Sequence, residues 1–188
     1  DQVAGIQGSG SPVAAGVAAQ GPITGFGSIF IHGVEYSTSS AQIRVDGDSA
    51  TESQLRVGYI VTVRGTVNDD GRTGAATEVT FAQHLRGAIT QLNVADGTFT
   101  VLGQTVRVSD ATLFDESISP AEIGGLQPGA SVQVSGFANA TGELIASRVE
   151  PASATAALQV RGTVQMLDTA ARTFRINALT VDYSAANV

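Results

Sequence analysis

One motif occurs twice in this chain and is then cut short. Leu55-x-x-Gly58-x-x-Val61-x-Val63-x-Gly65 returns as Leu126-x-x-Gly129-x-x-Val132-x-Val134-x-Gly136. Gly87, Phe99 and Val106 return at the same spacing as Gly162, Phe174 and Val181. This third copy reaches Val188 without a Leu-x-x-Gly half of its own. Apolar residues at a period of two, repeated at a fixed distance, describe a duplicated β module. A module that lacks its second half leaves unpaired strand edges, and such edges have to be covered.

Composition agrees with a β reading. Of 188 residues, 43% are apolar, 22 are glycine and only 14% are charged, against roughly 25% charged in an ordinary soluble domain. Val, Ile and Thr are frequent, and no long Ala/Glu/Lys/Leu stretch occurs, so many short strands with tight turns are expected. The net charge is -7, and the basic residues are ten separated arginines with no lysine. Nucleic-acid binding needs a basic face, so no nucleic-acid partner is expected, nor an anionic membrane surface. No apolar run approaches the roughly 20 residues that span a bilayer, so membrane insertion is not expected. Cysteine is absent, which removes disulfides, thiolate metal sites and cysteine nucleophiles.

The repeat divides the chain. Residues 1–22, rich in Gly, Ala, Ser and Gln, form either a flexible N-terminal extension or a donor strand. Val13 and Val17, with alanines between them, are then candidates to lie along a sheet edge. A first β-barrel module spans residues 23–85 and a second spans 86–151, and a partial third occupies 158–188 after a small-residue linker. Within module two, strands are expected at Ala88–Val94, Thr98–Leu102, Thr105–Ser109, Ser131–Phe137 and Leu144–Glu150. Asp96-Gly97 is a hairpin turn. Ser119-Pro120-Ala121-Glu122 predicts a cap and first turn of a short helix ending near Leu126. In module one, Thr51 to Leu55 predicts a single helical turn with Gln54 at the capping-box position. Three strands, a short helix and two strands is the order of an OB-type barrel. The fold class expected is therefore all-β: tandem OB-like small β-barrels with one short helix each, the third module incomplete.

The run from Gly21 to Tyr36, Gly-Pro-Ile-Thr-Gly-Phe-Gly-Ser-Ile-Phe-Ile-His-Gly-Val-Glu-Tyr, carries a family likeness. So do Leu55-Arg-Val-Gly58, Gly71 with Ala76 and Val79, and Val101-Leu-Gly-Gln-Thr-Val106. Together they resemble an uncharacterised family of exported bacterial proteins, described only as a domain of unknown function and built from tandem small β-barrels. The resemblance runs from about Gly21 to Tyr183. It implies an exported or envelope-anchored protein, often a lipoprotein, although no lipobox cysteine is present here. It supplies no catalytic residues. The start at Asp1 rather than methionine fits removal of a signal peptide, so a secreted or cell-surface location is expected.

Chemistry-bearing residues are sparse. His32 and His84 fall in different modules without a helical partner ligand. Asp46-Gly47-Asp48 and Asp69-Asp70 match turn chemistry, and fail the spacing of an EF-hand; a calcium contact at loop tips is the alternative. Gly25-Phe26-Gly27 lacks the rest of a phosphate loop, and no Gly-x-Ser-x-Gly elbow occurs. Asp115-Glu116 is expected in a solvated loop, and Asn139-Ala140-Thr141 in a turn. Phe30, Phe81, Phe99, Phe114, Phe137 and Phe174 are expected in the core, with Tyr36, Tyr59 and Phe26 exposed. No catalytic residue, metal or cofactor is expected, and the chain is read as a non-enzyme.

Two functions follow. The first is a structural subunit of an extracellular filament or surface assembly, a head-to-tail homo-oligomer joined by β-strand complementation. Its assembly residues would be Val13 and Val17 on the donor side and Phe174, Ile176, Val181 and Tyr183 on the acceptor side. The alternative is an OB-type ligand-binding module on the bacterial envelope, with a glycan a better ligand than nucleic acid given the negative charge.

Overall fold

The computed structural model describes residues 16–186. Module one contains β1 (Val17–Pro22), β2 (Ile29–Ile31), β3 (Val34–Ser37), β4 (Gln42–Val45), β5 (Asp48–Ala50), β6 (Ile60–Val67) and β7 (Thr73–Phe81). Module two contains β8 (Leu85–Asn93), β9 (Thr98–Val101), β10 (Gln104–Arg107), β11 (Leu113–Phe114), β12 (Ser131–Ala138) and β13 (Leu144–Pro151). The third unit contains β14 (Gln159–Val160), β15 (Gln165–Asp168), β16 (Thr173–Ile176) and β17 (Leu179–Asp182). The chain is all-β, in two tandem small barrels followed by a third unit with a three-stranded sheet.

Module two closes on itself. Its strands run β10-β9-β8-β12-β13, and β13 returns parallel to β10 through Val106 and Arg107. Module one follows the same path, β1-β6-β7-β3-β2, with β3 parallel to β7. Between β1 and β2 it is joined by Thr24 and Phe30, whose backbones bond at 3.0 Å.

The repeated motif has a direct structural meaning. Leu55, Val61 and Val63 in one module, and Leu126, Val132 and Val134 in the other, are all core residues. Gly58 and Gly129 hold φ of +89° and +86°, where a Cβ is disfavoured. Gly65 and Gly136 sit at the register shift of β6 against β7 and of β12 against β13. A Cβ at Gly65 would lie 2.0 Å from the Ala75 carbonyl oxygen, and one at Gly136 would lie 2.2 Å from that of Ile145. The bulge that curves each strand pair into a barrel therefore admits only glycine.

Four expectations need correction. Val17–Pro22 is a strand, as one of the two readings had it, but it serves its own chain: it pairs antiparallel with β6 from Val17↔Gly65 to Pro22↔Ile60. Module one therefore begins at Val17 rather than at residue 23, because β6 has an edge that needs a partner and this segment is next to it. The expected short helices are three-residue 3₁₀ turns, Glu52–Gln54 and Ile123–Gly125. The second has Glu122 rather than Ser119 at its N-cap position, without a side-chain cap, because the chain first turns tightly, with the Glu122 N–H on the Pro120 carbonyl at 2.7 Å. Phe137 is 41% exposed, since Val132, Val134 and Gly136 take the inward positions of β12 and leave Phe137 on the outer face. Tyr36 and Tyr59 are buried instead of exposed: Tyr36 packs over Gly74, and Tyr59 stacks on Phe81 with ring centroids 4.0 Å apart.

Candidate assembly surface

The third unit copies the first three strands of module two. β16 and β17 pair in the same register as β9 and β10: Phe174↔Val181 and Ile176↔Leu179 match Phe99↔Val106 and Val101↔Gln104. The hairpin turns match as well, with Asn177 and Leu102 both at φ near +50°. Asparagine tolerates that conformation because its short side chain satisfies local backbone groups.

The surroundings do not match. In module two, β12 and β13 lie across the face of β8–β10, and Ile89 is 2% exposed. Its counterpart Val164 is 51% exposed, and Leu167, the counterpart of the partly buried Leu92, is 59% exposed. Met166 is 75% exposed, and every residue of β15 is exposed. Among the described residues, the β15-β16-β17 sheet has no ladder beyond its own three strands. An apolar sheet face with two free edges is the usual form of a strand-acceptor surface.

Val13 lies outside the described residues. Val17 lies in β1, where its backbone is already paired with Gly65 of its own chain. Phe174, Val181 and Tyr183 are half-buried, and the Phe174 and Tyr183 rings are 5.9 Å apart. Ile176 is buried, because Gly162 leaves it space (a Cβ there would lie 2.5 Å from the Ile176 Cγ2). Phe174 and Val181 are thus a cross-strand pair, while Val17 is on a different module. Val164, Met166 and Leu167 escaped the sequence reading. The 75-residue spacing that relates Phe99 to Phe174 also relates Ile89 to Val164 and Leu92 to Leu167, and would have found two of them.

The third unit is docked on module two by polar contacts. Gln159 and Val160 of β14 pair antiparallel with Arg86 and Leu85, and the Arg161 N–H reaches the His84 carbonyl. Gln104 Nε2 donates to the Ile176 carbonyl at 2.9 Å, and Asn177 Nδ2 donates to Gln104 Oε1 and to the Gly142 carbonyl at 2.7 and 3.0 Å. Beside these contacts lies a cleft of about 320 Å³, whose wall includes His84, Gln104, Asn139, Thr141, Arg161 and Asn177. Burial, and then the Arg161 charge, hold the His84 imidazole below its ordinary pKa.

Modules one and two share a stiffer joint. The Tyr59 hydroxyl donates to Glu150 Oε2 at 2.7 Å, and Gln133 Nε2 donates to the same oxygen at 3.0 Å. Arg148 Nε lies 2.9 Å from Glu150 Oε1, an ion pair whose angle departs from that of a hydrogen bond. Its Nη2 also donates to Asp115 Oδ2 at 3.1 Å. The Ser147 hydroxyl donates to the Gly58 carbonyl at 2.6 Å. Burial and the neighbouring carboxylate push the Tyr59 phenol well above its ordinary pKa. A buried carboxylate partnered in this way holds one arrangement of the two barrels more than it adds stability.

The remaining candidates resolve into structural roles. His32 Nε2 lies 2.8 Å from the Gln20 carbonyl oxygen. Asp46 receives the Gln83 N–H at 2.7 Å and Arg86 Nη2 at 3.3 Å, so it braces the junction of modules one and two. Asp70 accepts the Arg72 and Thr73 N–H groups, and Asn139 Oδ1 accepts those of Thr141 and Glu143. Both act as turn residues. Asp115 caps the Ser117 N–H. Among the described residues no group of three or more His, Asp and Glu side chains converges as a metal site, and no helix is long and apolar enough to cross a membrane.

No curated protein and no solved structure matches the chain. A family model does match it twice, over residues 20–80 and 86–150, the two complete barrels described above. The chain belongs to the family described as a domain of unknown function, DUF5666, and carries two tandem copies of that domain.

Proposed function

We propose that this chain is an exported, non-enzymatic structural protein, a subunit of an extracellular filament or surface assembly whose units join by β-strand complementation. The observation that carries this reading is the uncovered apolar face of β15–β17, with Val164 and Leu167 in solvent where Ile89 and Leu92 are covered. Strand addition would supply main-chain hydrogen bonds along both free edges and bury those side chains. A contact of this kind that does not close on itself propagates into a fibre. Two barrels locked by Tyr59, Arg148 and Glu150 give the unit a fixed span. Light scattering of the purified chain over a wide concentration range, with electron microscopy of the concentrated sample, tests the proposal. Growing mass and fibres are expected; a monomer throughout would overturn it.

A second reading draws on the polar cleft between module two and the third unit. The two barrels share a strand order with OB-type folds, which hold oligosaccharides across such loops. Amide, hydroxyl, imidazole and guanidinium groups on one wall suit the hydroxyls of a glycan better than a polyanion. Saturable binding on a glycan array that is lost in Arg161→Ala would favour it, and an array with no binder would remove it.

A further inference from the structure

From the open sheet we infer the partner it is built to take: a strand pair of the Leu-x-x-Gly-x-x-Val-x-Val-x-Gly type, equivalent to this chain's own β12 and β13. The inference rests on the strand-addition reading and specifies the acceptor's occupant and register. The molecule itself shows what covers such a face, because modules one and two each contain the same three-strand platform already covered. In module two, β12 pairs with β8 at Ser131↔Ala88, Val132↔Gly87, Gln133↔Arg86 and Val134↔Leu85. The third-unit counterparts of these acceptors are Thr163, Gly162, Arg161 and Val160. β13 runs parallel to β10 at Val106↔Leu144 and Arg107↔Ile145, and the counterparts there are Val181 and Asp182.

The chemistry of the occupant follows from the site. Two alternating apolar residues must point inward to cover Val164, Phe174 and Val181, as Val132 and Val134 cover Ile89, Phe99 and Val106. A glycine must follow them, because closing the barrel needs the bulge at which Gly136 lies against the Ile145 carbonyl. A single strand would satisfy only one of the two free edges. The occupant is therefore a pair of strands from a module of this same class.

The test extends the chain past Val188 with a second copy of residues 114–151. Val188 corresponds to Leu113 at the 75-residue spacing, so the addition continues the repeat in frame. Amide exchange over residues 160–163 and at Val181 and Asp182, the counterparts of the residues that β12 and β13 pair in module two, is then measured in the parent and extended chains. Closure should slow both sets by about tenfold or more. A control carries the Gly136→Val change in the appended copy only; it should restore the parent's rates, because the bulge cannot form. Unchanged rates in the extended chain, or equal slowing in the control, would overturn the inference. Failure of self-association in the parent chain is read separately, by scattering. It would remove the filament reading and leave this acceptor assignment intact.

Discussion

Module two and the third unit put the same residues at the same spacing into different surroundings. Phe99, Val101 and Val106 are 0–1% exposed. Phe174 and Val181 are only half-buried, and Ile176 is buried chiefly by its neighbours in the same unit and module two. The hairpin register is identical in the two, so local pairing and turn chemistry are enough to set it. Burial is not local: it comes from β12 and β13. Fully burying a Val or Ile side chain contributes about 1.5–3 kcal/mol, and Val164 and Leu167 forgo most of that. Three strands with an apolar face are near the lower limit of independent stability. The third unit is therefore tied to module two by β14, Gln104 and Asn177.

The sharpest way to break the comparison is through its glycines. Gly136→Val puts a side chain against the Ile145 carbonyl, where even a Cβ would lie at 2.2 Å, and should destabilise module two by about 3–5 kcal/mol. Gly162→Ala meets only the Ile176 side chain, not backbone, and beside an uncovered sheet face the displacement should cost about 1 kcal/mol. Exchange rates of β12 and β16 amides, read separately, would show the difference. Next is the pair of equivalent core positions. Ile89→Ala should cost about 2–5 kcal/mol and Val164→Ala no more than about 0.5 kcal/mol, measured by urea unfolding of the same chain.

Smaller effects concern the joints. Tyr59→Phe removes the hydroxyl that donates to Glu150 and should cost about 1–3 kcal/mol. Calorimetry should then resolve separate transitions for modules one and two where the parent gives one. A smaller effect is the pH dependence at Asp115. Its carboxyl is held below the ordinary value of 3.8 by the Ser117 hydroxyl and N–H, with Arg148 adding to this. Its folded pKa is therefore below its unfolded one, so its stabilising contribution is complete above about pH 4 and is lost as pH falls through the folded value. An acid titration followed by circular dichroism should show Asp115→Asn losing that part of the acid sensitivity. The Arg64–Glu78 surface pair, 69% and 35% exposed, should leave stability unchanged when replaced.

Much of the fold is legible in the residues themselves. Val61, Val63, Val132 and Val134 alternate cleanly, and Asp96-Gly97 and His32-Gly33 mark their hairpins. β1 is only partly legible: Val17 suits a sheet edge, but Ala18, Ala19, Gln20, Gly21 and Pro22 are poor strand formers, and nothing local names β6 of the same chain as the partner; tertiary context overrides propensity. The Tyr59–Glu150 joint spans 91 residues and has no periodic signal. Of the candidate site, Phe174 and Val181 are visible through spacing. Val164 and Leu167 carry the same signal, but their importance appears only once the covering strands of module two are known.

Site-resolved hydrogen exchange on the dilute chain tests the central claim most directly. Amides of β12 and β13 should exchange only through global opening of module two, while those of β15 and the outer edge of β17 exchange several orders of magnitude faster. Equal protection of the two sets in a monomer would mean that the third sheet is already covered, and would contradict the account.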